Sequence, residues 1–295
     1  MKYRFVICDV FTDARFCGNP LAVLPAASGL DASQMQRIAR EFNFSESTFV
    51  LPPERGGLRR VRIFTPSKEV PFAGHPNVGT AVVLTTLGEA DAGTTIVFEE
   101  QAGDVPVTIE RGAGGALYAE LRAPGALTVG AAADPALVAA VLSLPAEAVV
   151  TVRHPPRSAS VGLPFLMTEV VDTDALARAR IDHAALDSLR ATGACTDIHV
   201  YTRTAGDALS ARMFAPDDGV PEDAATGSAN VALAALLADL EPADAGEFCW
   251  TVTQGVEMGR PSRLECRVSK RNGEIDAAYV RGQAVWVADG EIDVG

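Results

Sequence analysis

The sequence predicts an α+β fold of two similar halves, each a curved, mostly antiparallel sheet wrapped around a central apolar helix. Three observations predict it. First, Arg62, Phe64, Pro66, Val70 and Pro71 recur 150 positions later as Arg212, Phe214, Pro216, Val220 and Pro221. Second, an uncharged run follows each copy, from Asn77 to Leu87 and from Ala229 to Ala238. A helix apolar on every side must be surrounded, and neither run is long enough to span a membrane. Third, the flanking segments are rich in short alternating strands, so a sheet is the natural wrapping. A helix sandwiched by other helices is the competing arrangement, disfavoured by those strands.

The elements follow in order. Residues 1–11 place Lys2, Arg4 and Asp9 inside an apolar run, so they read as a strand and not as a signal peptide. A turn at Thr12–Arg15 leads to a second strand ending at Leu24. Asp31 is a helix N-cap with Gln34 as its capping-box partner, and Met35, Ile38, Ala39 and Phe42 form the buried stripe. Asn43–Leu51 reads as a turn leading into a strand, and Arg60–Phe64 alternates before the first uncharged helix. Short strands run to about Leu127. Gly125–Ala133 is small and loop-like, the best linker candidate. The domains are therefore expected at 1–127 and 128–295, with the final strand able to join the first. Asp134-Pro135 opens a helix in N-cap and N1 order. Strands follow at 163–171, 197–201 and 210–214, with a helix ending near Gly193 among them. The tail after Phe248 alternates as antiparallel strands do.

The chain has 295 residues, 48% hydrophobic and 21% charged, ample for two cores. Its net charge of −13 argues against nucleic acid and anionic membrane as partners. An acidic substrate would need a local site to hold it. The five Cys are scattered and odd in number, as in a cytoplasmic protein with free thiols. No ligand cluster, P-loop or G-x-G-x-x-G is present, so no metal, nucleotide or organic cofactor is expected.

Each copy of the repeat ends in a Gly-turn at a helix start, Gly74-His75 and Gly227-Ser228. Free N–H groups there suit a carboxylate. Five blocks carry more: Gly18–Val23, Ser45-Glu46-Ser47, Pro71–Pro76, Glu222–Ala229, and Gln254-Gly255 with Met258–Ser262. In this order, along nearly the whole chain, they resemble the PhzF (phenazine biosynthesis) family. The resemblance implies the diaminopimelate epimerase-like fold, a cofactor-free proton shift on a small carboxylic acid, and a homodimer. It places the catalytic glutamate on Glu46 and supporting groups on His75, Asp223 and Ser228. Substrate contacts fall on Gly74, His75, Gly227, Ser228 and Asn19, in a cleft between the halves. Ala224 stands where the family usually has Pro.

The residue chemistry agrees with that role. Moving a proton between carbons needs a group that takes it and returns it, and a carboxylate with a raised pKa does so. Glu46 and Asp223 are candidates for a coupled pair, with His75 as relay. Taken singly, each has a plainer reading. Glu46 is a polar turn residue, Asp223 and Thr226 are caps, Ser228 is a small packing residue and Asn19 folds the loop before Pro20. His154, His183 and His199 read as structural or surface residues. Two other functions compete. A two-thiol amino-acid racemase would need Cys at the Gly-turns, where there is none. A non-catalytic small-acid or protein-binding chain would show no turnover.

Overall fold

The computed structural model describes residues 1–295, the side chain of Asp218 excepted. The chain divides into two compact units, residues 1–122 with 281–295, and residues 123–280.

The first unit comprises β1 (Lys2–Val10), β2 (Asn19–Leu24), α1 (Ala32–Phe42), β3 (Glu46–Leu51), β4 (Arg59–Phe64), β5 (Glu69–Val70), α2 (Gly74–Thr86), β6 (Thr95–Glu100), β7 (Gly103–Arg111) and β8 (Leu117–Arg122). The last part of a long final strand, Glu274–Asp293, belongs to it as well. Pairing runs from that final strand through β1, β2, β3, β4, β6, β7 and β8 and returns to the final strand. β2 with β3 and β4 with β6 are parallel. α2 packs against β1, β2, β3, β7 and β8. Every α2 residue from Gly74 to Leu84 is buried, as its uncharged sequence requires. Gly79 explains how closely it docks. A Cβ there would lie 2.6 Å from Leu21 and 2.7 Å from Val10. α1 carries the complete Asp31–Gln34 capping box and ends on Asn43 in the left-handed conformation. Its buried stripe of Met35, Ile38 and Ala39 packs with Phe49 and Phe64.

The second unit comprises β9 (Thr128–Ala132), α3 (Pro135–Val141), β10 (Val149–Val150), β11 (Arg157–Ser160), β12 (Pro164–Val170), α4 (Thr173–Arg178), α5 (His183–Ala191), β13 (Ile198–Arg203), β14 (Ala208–Ala215), β15 (Val220–Asp223), α6 (Gly227–Asp239), β16 (Gly246–Gln254), β17 (Ser262–Arg271) and the start of β18 (Glu274–Asp293). Pairing runs β9, β11, β12, β13, β14, β16, β17. Here too two pairs are parallel, β12 with β13 and β14 with β16. α6 is buried from Ala229 to Ala238 and packs against β11, β12, β16 and β17. Its last carbonyls, of Ala238 and Asp239, accept from the buried Lys270 ammonium at 3.1 and 3.2 Å, where a cation complements the helix dipole.

The linker reading of Gly125–Ala133 is corrected. Residues 128–132 form a strand paired with β11, and Gly130 lets it approach Ser158, whose Cβ would lie 3.1 Å from an added one. Small residues made the segment look structureless, but a non-local partner supplies its hydrogen bonds.

Candidate active site

In the first unit, three elements bring Asn19, Glu46 and His75 together. Asn19 opens β2 after a tight loop from Phe11 to Gly18. The loop depends on Gly18, whose φ is +67° and whose Cβ would lie 2.3 Å from the Val10 carbonyl oxygen. The Phe16 N–H donates to Asp9 Oδ2 at 2.6 Å and pins the loop. Glu46 opens β3, in parallel register with Leu21. His75 is the second residue of α2.

Asn19 is fully buried. Its Oδ1 accepts from Ser45 Oγ at 3.4 Å, and its Nδ2 lies 3.4 Å from His75 Nδ1. Glu46 Oε2 lies 3.5 Å from the same nitrogen. Burial pulls the His75 pKa down to about 3, so the ring is neutral near pH 7 and this contact is not an ion pair. A neutral imidazole carries one proton for two nitrogens. Nδ1 faces both a donor, Asn19 Nδ2, and an acceptor, Glu46 Oε2. The Nδ1 proton can therefore point at an ionised Glu46, or Nδ1 can accept from Asn19. His75 Nε2 is buried and meets no hydrogen-bonding group among the described residues. Ala73 is the N-cap, offers no side-chain cap, and no acid sits in the first turn. The turn thus keeps its N–H groups and its positive dipole end for an anion.

In the second unit, Asp223, Gly227 and Ser228 surround the start of α6. Asp223 ends β15, and its Oδ2 accepts from Thr226 Oγ1 at 2.6 Å. Thr226 is the N-cap residue, yet its hydroxyl serves Asp223 and not the helix, so the plain capping reading does not describe it. Gln254 brackets this turn. Its Oε1 accepts from Thr226 N at 3.2 Å and Asn230 Nδ2 at 2.7 Å, while its Nε2 donates to the Asp223 carbonyl at 2.8 Å and Thr226 Oγ1 at 3.0 Å. Ser262 Oγ donates to the Ala224 carbonyl at 2.9 Å, supporting the position where Pro is usual. Arg212, almost fully buried, holds Glu222 through two 2.8 Å bonds.

Sequence reasoning did not anticipate the Gln254 bracket or a buried acid, Glu100, beside α2. An amide closing a strand carries no local signal of its partners, and an acidic pair such as Glu99-Glu100 reads as solvated surface. Among the described residues, no three His, Cys, Asp or Glu side chains gather as a metal site requires.

The family model for phenazine biosynthesis-like proteins, PhzC-PhzF, matches residues 8–290. An uncharacterized isomerase from Mesorhizobium japonicum is 40% identical, over 98% of both chains. The trans-2,3-dihydro-3-hydroxyanthranilate isomerase of Pseudomonas fluorescens is 37% identical, over 98% of this chain and 99% of its own. The crystal structure of a PhzF-family protein from Bacillus anthracis superposes with a TM-score of 0.90 at 26% identity, covering 99% of each chain. A probable proline racemase from Agrobacterium radiobacter shares the fold, with a TM-score of 0.65 at 13% identity, over 99% of this chain and 93% of that one. The chain belongs to the phenazine biosynthesis-like PhzC-PhzF family and, like its named relatives, is an isomerase.

Proposed function

We propose that the protein moves a proton between carbons of a small cyclic or unsaturated carboxylic acid, without a cofactor, and that Glu46 carries the proton. The observation behind this reading is the placement of Glu46 Oε2 3.5 Å from Nδ1 of a buried, neutral His75 at the uncapped start of α2.

The chemistry then runs in balance. Glu46 takes a proton from a C–H made acidic by a neighbouring unsaturated or carboxyl group. The electron pair left on carbon delocalises along the conjugated system. The same carboxyl returns the proton at a second carbon, so nothing is lost or gained. His75 answers the change at Glu46 through Nδ1. With its proton on Nδ1 it donates to the Glu46 carboxylate, and in the other tautomer, with the proton on Nε2, Nδ1 accepts from Asn19 Nδ2. In this reading the Gly74-His75 turn, with Asn19 beside it, and the Gly227-Ser228 turn, with Asp223 and Thr226 beside it, are each suited to hold a carboxylate. A second copy of the chain completes a homodimer in this reading.

A two-thiol racemase gains no support. The Gly-turns hold no Cys, and burial pushes the Cys8 and Cys266 thiols far up.

The test uses trans-2,3-dihydro-3-hydroxyanthranilate as the probe substrate, in heavy water. Glu46→Gln keeps shape and hydrogen bonding but takes no proton. Turnover should fall on the order of 10²–10⁴-fold with binding little changed. Near-normal turnover by this variant would end the assignment. No turnover by the native protein would redirect the search to other unsaturated acids.

A further inference from the structure

The two uncharged helices begin with matched surroundings. Asn77 and Asn230 are each the fourth residue of their helix, and each donates Nδ2 to the carbonyl of its N-cap residue, Ala73 or Thr226. Strand register extends the match. Arg60 and Ser210 are separated by the same 150-residue step as the repeat. Arg60 pairs with Glu99 in a parallel ladder, and Ser210 pairs with Thr253 in the equivalent one. The next residues, Glu100 and Gln254, therefore occupy corresponding places.

Their hydrogen bonding differs sharply. Gln254 makes four bonds around Asp223, Thr226 and Asn230. Asn230 Oδ1 meets His199 Nε2 at 3.1 Å, so both ends of that amide are satisfied. In the first unit the residue matching His199 is Thr48, because Ile63 and Met213 are its respective antiparallel partners. Thr48 is engaged by Thr80 at 2.9 Å. Asn77 Oδ1 is left buried without a donor, and both carboxyl oxygens of Glu100 are buried and unpaired. The Asn77 side chain lies within hydrogen-bonding reach of Glu100. Asn77 can meet an ionised Glu100 with its second N–H, a bond that favours the charged form, whereas its orphaned Oδ1 gains a partner when the carboxyl carries a proton.

We propose that Glu100 is a positioning residue, held as a neutral carboxylic acid whose O–H donates to Asn77 Oδ1. It does for the His75 turn what the Gln254 amide does for the Ser228 turn. Its effect on activity rests on the function proposed above; its protonation does not.

Burial supports the neutral form, raising the Glu100 pKa to about 8. The charged groups on the packed elements are engaged elsewhere. Glu99, next on β6, accepts from the N–H groups of Glu54, Arg55 and Gly57. Arg55 pairs with Asp104 on β7 through Nη2 at 2.9 Å, and the same nitrogen donates to the backbone carbonyl of Glu100, not to its carboxyl, at 3.5 Å. On β4, Arg59 pairs with Glu89, Arg60 with Glu54 and Arg62 with Glu69 of β5. His75 on α2 is neutral. No cation is directed at the Glu100 carboxyl by any of these contacts.

Infrared spectroscopy of the full-length protein reads the proton directly. At pH 7 the native protein should show a protonated-carboxyl C=O band that is missing from Glu100→Gln and fades as pH rises through about 8. Absence of that band at pH 7 overturns the proposal. Asn77→Leu removes the acceptor and should shift the band, whereas an unmoved band rejects Asn77 as the partner. Thermal melting is the second readout. Between pH 5 and 8 the unfolded state releases this proton while the folded state keeps it. The native protein should therefore fall progressively behind Glu100→Gln in Tm across that window. A constant or closing gap overturns the proposal. With the probe substrate, the native kcat should drop about tenfold per pH unit above the Glu100 pKa, and Glu100→Gln should lack that limb. If the native protein does not turn the probe over, the band and melting results alone judge Glu100.

Discussion

The start of α2 and the start of α6 share one feature, an Asn side chain donating to the N-cap carbonyl, and differ in what surrounds it. Around α6, Gln254, Asn230, Thr226 and His199 join in a network that pairs Asp223, the Thr226 backbone and the amide of Asn230. Around α2, His75 Nε2, Asn77 Oδ1 and the Glu100 carboxyl are buried without partners. Buried polar groups are normally satisfied, and each lapse costs about 1–3 kcal/mol. The turn in the second unit is the more fully bonded, although His199 Nδ1 is also buried without a partner, and the first holds the turn with more unsatisfied groups. Chemistry is expected where satisfaction is incomplete, because a fully bonded group has nothing left to offer a substrate.

Gln254→Leu should break this comparison most strongly. It strips partners from Thr226 N, Asn230 Nδ2 and the Asp223 carbonyl, all at one buried place. We expect a loss of about 3–5 kcal/mol in urea unfolding. A loss below about 1 kcal/mol would show that the network is ornamental and that the contrast with α2 has no energetic content.

Two glycines sharpen it further. Gly18 and Gly255 both have positive φ, and an added Cβ would meet backbone oxygens at 2.3 Å and 2.5 Å respectively. Each Gly→Ala should cost about 2–3 kcal/mol. Gly88, also at positive φ but with open space around it, should cost only about 1 kcal/mol as Ala. Gly18→Ala should also lower turnover of the probe substrate, because Asn19 follows it directly. Equal stability losses at all three glycines would reject the steric argument.

What could be read without coordinates depended on range. The capping box of α1 and the uncharged helices were legible because their determinants lie within one or two turns of chain. The strand at 128–132 was not, since its bonds are supplied by β11, which its own small residues do not announce. The site was legible only through motifs. Asn19, Glu46 and His75 come from three elements, and no local pattern says that they meet. Glu100 was missed for a different reason: an acid next to an acid looks solvated, and only the parallel register of β4 and β6 turns it inward.

The smallest expected effect is a difference in acid sensitivity between the two turns. Burial holds the pKa of His75 down to about 3 and that of His199 to about 4. The hydrogen bond to Asn230 opposes the shift at His199, and nothing comparable acts at His75. The sign follows from proton counting. Above an unfolded pKa of about 6.5 both rings are neutral folded or unfolded, and no penalty arises. As pH falls below that value the unfolded chain binds protons that the folded one refuses. Stability therefore drops by about 1.4 kcal/mol per pH unit for each ring. For His199 the drop ends near pH 4, and for His75 it continues toward pH 3. His199→Gln should remove its share of the slope only above pH 4. His75→Gln should flatten the curve through the lower window as well, leaving it the less acid-sensitive of the two variants at pH 3. Urea melts at half-unit pH steps measure this. If the two variants track each other down to the lowest pH, the His75 ring is no more reluctant to charge than that of His199, and the contrast between the turns fails at its most sensitive point.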